Sequence, residues 1–253
     1  MKIQNTFKAN VIWGSLGFSL AIIAALLFDT QQTISYLAAA KAFIFSQFSW
    51  FYILLSAFFL FFLLFLALGR YGDIKLGSDE EEPEFKLGSW IALLFTSGIG
   101  IGIVFLGVAE PLSHFLSPIG EYEKVRTALF FSIFHWSISA WAIYGLIALT
   151  IAYFGFRYKL PFSLRSCFYP LLKEKINGKV GDVIDILGIC TTLFGVVATL
   201  GYSAIRLAAA FHSMHLLDNS PYLVPLILVS VFIIAILISL QGIANGFRIL
   251  SEL

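Results

Sequence analysis

Charge is what this sequence has least of. Lysine, arginine, aspartate and glutamate make up 12% of its 253 residues, against about 25% in ordinary soluble domains. That shortage excludes a conventional water-soluble globule. The few charges nearly cancel, sixteen basic against fifteen acidic for a net of +1, so no one-signed field exists to attract nucleic acid or an acidic partner. Cysteine is almost absent. Cys167 and Cys190 offer neither a disulfide framework nor metal-ligand spacing, and Cys190, set in an apolar run, reads as an inert buried thiol. His114 and His135 stand alone, Glu110 lacks a second carboxylate, and no HExxH, GxSxG or catalytic carboxylate pair occurs. The chain is therefore not read as an enzyme, and no cofactor is expected beyond a coupling ion. No cleavable leader is evident either, because the run 11–28 is as long as a span and lacks a small-residue cleavage site.

What is present is apolar. Hydrophobic residues account for 59% of the chain, with 27 phenylalanines and a mean hydropathy of +0.91. A membrane span needs about 20 mainly apolar residues. Six are predicted, at 11–28, 49–69, 89–109, 127–155, 183–212 and 222–240, with 30–48 set apart as a short external helix or loop. Twelve basic residues fall on one side of these spans: Lys2, Lys8, Arg70, Lys75, Lys86, Arg157, Lys159, Arg165, Lys173, Lys175, Lys179 and Arg248. Only Lys41, Lys124 and Arg126 fall on the other. The positive-inside rule then places the N-terminus in the cytoplasm of a multi-pass plasma-membrane protein. The acidic run 79–84 reads as a solvated cytoplasmic linker. Residues 241–253 carry Ile243, Phe247 and Leu250 at helical spacing and are expected to begin an interfacial amphipathic helix.

Three features carry chemistry. In the third span Gly98, Gly100 and Gly102 alternate behind Thr96 and Ser97. Each glycine weakens a helix by roughly 1 kcal/mol relative to alanine, and carbonyls released by unwinding are hard oxygen ligands for a cation. Gly98 and Gly102 also form a GxxxG pair, which would serve close helix packing instead. In the fourth span Trp136, Trp141 and Tyr144 cover a broad face. Aromatic faces hold quaternary ammonium groups by cation–π attraction; rings of this kind also form interfacial belts. In the fifth span Thr192, Thr199 and Arg206 recur every seven residues and share a face expected to point inward. Arg206 there either lines a pathway or snorkels to the boundary.

The order of these motifs resembles the betaine/choline/carnitine transporter (BCCT) family along nearly the whole chain. The resemblance rests on LGSDEEEPEFKLGSWIALLFTSGIGIG, GVAEPLSHF, FHWSISAWAIYGLIALTIAYF, LPFSLRSCFYPLL, DILGICTTLFGVVATLG and GIANGFRILSE. It implies an all-α, polytopic transmembrane protein with a partial LeuT-like inverted-repeat fold. Residues 1–88 would hold two additional helices and a cytoplasmic linker, and 89–240 the first four helices of repeat one. Residues 241–253 would open an amphipathic helix, with the second repeat absent.

By resemblance the function is secondary transport of glycine betaine, choline or carnitine, osmoprotective solutes, by alternating access. Symport with Na+ or H+ and solute exchange (antiport) all occur in the family, and trimers are common. The chain is expected to be an N-terminal half or fragment; the alternative is a non-transporting subunit or remnant that assembles with a full-length relative. The resemblance maps substrate contacts onto Ser97, Gly98, Ile99, Gly100, Gly102, Trp136, Trp141 and Tyr144. It maps cation contacts, a possible Na+ among them, onto Thr96, Ile99 and Thr192. Two departures bear on sodium: Val196 stands where sodium-coupled relatives can carry a threonine, and Ile99 where methionine is frequent.

Overall fold

The computed structural model describes residues 8–80, 82–83, 85–117, 123–218 and 220–240, and for 95–105 the backbone alone. Among the described residues every regular element is helical. Helix α1, Ala9–Phe28, ends at Asp29, whose extended backbone separates it from α2, Thr30–Leu68. The Asp29 carboxylate accepts the Gln32 amide at 2.9 Å, so one residue terminates α1 and caps α2.

Helix α2 differs from expectation. It runs unbroken for 39 residues, about 58 Å at 1.5 Å per residue, roughly twice a hydrocarbon core. Residues 30–48 are not a separate element. They hold neither glycine nor proline, and Ala38, Ala39 and Ala40 favour helix. Mixed polarity decides where such a helix leaves the bilayer by tilting or projecting; it does not break it.

Helix α3, Leu87–Leu116, contains Pro111 and follows the expected third span. Its backbone is helical through 96–102, where the glycines were expected to open it. The magnitudes explain the difference. Each glycine costs about 1 kcal/mol, whereas a backbone group left unpaired in hydrocarbon costs several. Glycine makes unwinding cheaper without providing the substitute partners that unwinding requires.

The fourth span, expected to be continuous, is broken instead. Helix α4, Lys124–His135, stops before Trp136, and α5, Ile138–Ala152, restarts behind Ser137. A five-residue π-helical turn, Tyr153–Arg157, closes the span. Short helices α6, Leu164–Cys167, and α7, Tyr169–Leu172, and a 3-10 turn, Lys173–Asn177, lead to α8, Lys179–Ser213. Helix α9 covers Leu223–Leu240. Five described stretches are long and apolar enough to cross a membrane: Ala9–Phe28, Thr30–Leu68, Lys124–Arg157, Lys179–Ser213 and Leu223–Leu240. The amphipathic helix expected at 241–253 lies outside the described residues.

The chain divides into two compact units, one of Met1–Glu81 with Ile133–Thr192, the other of Glu82–Ser132 with Leu193–Leu253. In the first, α2 packs against α1 and α5. Buried Val11, Ser15 and Ser19 make one stripe of α1. A Cβ on Gly14 would sit 2.5 Å from Ile186 Cδ1, so the absence of a side chain there lets α1 approach α8, as small residues do between membrane helices. Cys190 is buried, with Sγ 3.8 Å from the Ser15 carbonyl oxygen, consistent with the inert thiol expected. In the second unit Thr127, Ala128 and Ser132 form the buried stripe of α4.

Candidate functional site

The aromatic residues of the fourth span all belong to the first unit, Trp136 at the break and Trp141 and Tyr144 beyond it. Helix α5 carries Trp141 and Tyr144 three residues apart, and their rings meet at 5.9 Å between centroids, inclined by 46°. Trp136 belongs to neither helix. Its ring lies 5.5 Å from that of His135, inclined by 39°. Trp141 is 40% exposed and Tyr144 69%, so both rings keep open faces, which a cation–π contact requires.

Ser137 stands at the break. Its backbone is extended, with φ −74° and ψ 175°. Its amide donates to the Phe134 carbonyl at 3.3 Å, and its hydroxyl donates to that same oxygen at 2.8 Å. Its own carbonyl accepts the Ala140 amide at 3.1 Å. Its side chain makes no cap to α5, and the same bond to a carbonyl three residues back occurs at Ser46 and Ser56 within unbroken α2. Sequence reasoning missed Ser137. The signal was available in His-Trp-Ser-Ile-Ser, a serine suited to an N-cap followed by a β-branched residue.

The remaining expected site residues stand as follows. Thr96, Ser97, Gly98, Ile99, Gly100 and Gly102 lie on α3 in the second unit, and their side chains fall outside the description. Thr192 lies in the first unit, with its exposed hydroxyl donating to the Gly188 carbonyl at 2.8 Å. Thr199 does the same to Gly195 at 2.9 Å. Arg206 places its guanidinium 5.4 Å from the centroid of the Tyr202 ring, one helical turn back.

Near the end of α3, Glu110 and His114 form an i,i+4 pair at 3.6 Å, and the His114 ring lies 5.6 Å from Phe131. Neither is therefore the isolated group that the sequence suggests. Among the described residues no group of three or more histidines, cysteines or carboxylates could hold a metal ion.

The sodium donors can be tested on their chemistry. The Thr192 hydroxyl keeps lone pairs free after donating its proton, but Val196, one turn on, has no oxygen. The backbone at 96–102 is helical, which commits its carbonyls to the i→i−4 ladder. The Thr96 and Ile99 side chains lie outside the described residues.

Comparison with known proteins places these features in a wider group. A family model described as "BCCT, betaine/carnitine/choline family transporter" matches residues 10–253. An uncharacterized transporter of Haemophilus influenzae is 47% identical over 100% of this chain and 38% of its own length. The glycine betaine transporter OpuD of Bacillus subtilis is 40% identical over 88% of this chain and 44% of its own. An osmo-dependent choline transporter of Acinetobacter baylyi is 39% identical over 82% of this chain and 31% of its own. The chain thus spans less than half the length of each of these relatives.

Proposed function

Because this chain belongs to the betaine/carnitine/choline transporter family, we propose that it contributes the quaternary-ammonium binding site of a secondary transporter working by alternating access. The observation that carries this reading is the Trp141–Tyr144 ring pair, with Trp136 at a helix break five residues earlier. A trimethylammonium group has no N–H to donate, so hydrogen bonds cannot select it; aromatic faces can, through the ring quadrupole. The names of two relatives, a glycine betaine transporter and a choline transporter, point to the same solute class.

Alternating access needs a second set of helices rocking against the first about a midplane site, and assembly into trimers would bring three such sites together. The glycines of α3 would contribute Ser97 to Gly102 to the solute once other partners take over their backbone bonds. Val196, without an oxygen where sodium-coupled relatives can carry a threonine, favours a proton or an exchanged solute as the coupled species. The basic residues flanking the spans support a cytoplasmic N-terminus.

The test is equilibrium binding of labelled glycine betaine and choline to the chain in lipid nanodiscs. One desolvated cation–π contact is worth about 2 kcal/mol, roughly 30-fold in affinity, and Trp141→Ala is expected to weaken binding by about that factor. Unchanged affinity in that variant removes the aromatic site.

A further inference from the structure

We propose that Glu110 and His114 form the site of a coupled proton: one proton, taken from water, is held between the two side chains and bound together with the quaternary-ammonium solute. This rests on the transport reading above and gives its coupling ion a place in the chain.

Ionisable side chains in membrane helices are costly and mark ion pathways and proton relays. Glu110 and His114 stand near the end of α3, with the carboxylate Oε1 3.6 Å from the imidazole Nε2. Their side chains are 11% and 27% exposed, whereas Val108, Leu112 and Leu116 beside them are well exposed. The pair therefore lies on the sheltered side of the helix. Because α3 is unbroken, phase relates it to the rest of the span. At 100° per residue Thr96, Gly100, Ile103, Gly107, Glu110 and His114 fall within about 80° of one another. The pair thus ends a stripe that begins in the segment proposed for the solute. Glu110 follows Gly102 by eight residues, about 12 Å along the axis.

A proton on His114 makes an imidazolium, and three neighbours receive its charge. Glu110 is one turn back. The last turn of α3, which holds His114, is the negative end of the helix dipole. The Phe131 ring of α4 has its centroid 5.6 Å away, within cation–π range. Between the two residues stands Pro111, which has no N–H, so the Gly107 carbonyl loses its α-helical donor. A protonated pair bridges this weakened turn through its side chains. Order in α3 and proton binding then depend on each other, and a solute held by the same helix is linked to both. On α4, Lys124 lies on the Phe131 face two turns earlier and His135 one turn later, while Arg126 is turned about 140° away. His135 is the rival titratable group. Its ring lies 5.5 Å from that of Trp136, so protonating it would repel a bound cation and weaken binding at acid pH, the opposite sign.

The experiment measures labelled choline and glycine betaine binding to the chain in nanodiscs, at about pH 5.5 and about pH 8.5. A pH-indicator dye in weak buffer reads proton uptake as solute binds. The parent is expected to bind about tenfold tighter at the acid pH, a coupling of ordinary size, and to take up protons with solute near neutrality. Both effects should vanish in Glu110→Gln and in His114→Gln and persist in His135→Gln. Trp141→Ala should weaken binding at both pH values and leave their ratio unchanged. Proton uptake that persists in either Glu110→Gln or His114→Gln overturns the proposal, as does uptake lost in His135→Gln. A parent that binds solute with no pH dependence and no uptake also overturns it, and leaves the aromatic site standing. A parent chain that binds neither solute overturns both.

Discussion

Arg157 and Arg165 lie eight residues apart, and each pairs with an aspartate, yet their surroundings separate them. Arg165 is 4% exposed. Its Nε donates to Asp185 Oδ2 at 2.5 Å, its backbone amide to Asp185 Oδ1 at 2.9 Å, and its Nη1 to Asp182 at 3.2 Å. Lys8 reaches the same Asp182 at 3.1 Å and donates to the Asn177 carbonyl. Arg157 bonds Asp79 at 2.8 Å and the Lys75 carbonyl at 2.8 Å, but the Asp79 side chain is 80% exposed.

Removing one partner of a buried pair leaves an uncompensated charge and costs about 3–5 kcal/mol, while exposed pairs contribute about 0–1 kcal/mol. Arg165→Ala is accordingly expected to lower the thermal midpoint markedly in detergent, and Arg157→Ala to leave it nearly unchanged. Cys167 reports on the same place. Burial, reinforced by the negative charge of Asp185, raises its thiol pKa above the ordinary 9.0. It should therefore alkylate slowly at neutral pH, with the rate climbing only above that range as thiolate forms. Equal midpoints for the two arginine variants would refute the assignment.

At the scale of the element, two spans contradict simple expectation in opposite directions for one reason. Helix α3 was expected to open at its glycines and is helical throughout; span four was expected to be continuous and breaks at Trp136–Ser137. Glycine lowers the cost of breaking, but in a bilayer the released backbone groups also need other partners. Helix α2 makes the complementary point, since no residue between 30 and 48 favours ending it. Spin labels scanned singly through 30–68 are expected to show one uninterrupted 3.6-residue periodicity of mobility. A phase slip near 48–49 would restore the separate external segment.

On the scale of the whole molecule, the expected site residues divide between the two units. Trp136, Trp141, Tyr144 and Thr192 lie in one, and Thr96 to Gly102 in the other. In the first unit Lys8 and Arg165 share Asp182 and Arg157 reaches the Lys75 carbonyl; with Lys173, these are residues the sequence assigns to the cytoplasmic side. On a cysteine-free background, cysteines placed at 75 and 173 are expected to react with a membrane-impermeant maleimide only in inside-out vesicles. A cysteine at 41 should react only in right-side-out vesicles. The reverse pattern would invert the positive-inside assignment.

The order of the apolar runs, the family and the identity of the aromatic residues were all determined by sequence, because transfer into hydrocarbon depends on composition summed over about 20 residues and a motif order survives without coordinates. What tertiary structure decided is which partner each charged residue finds. The buried Arg165–Asp185 pair, joined across 20 positions of sequence, was invisible in the sequence because pairing is a matter of atoms within about 3 Å, whereas a charge count only assigns each residue to a side of the membrane.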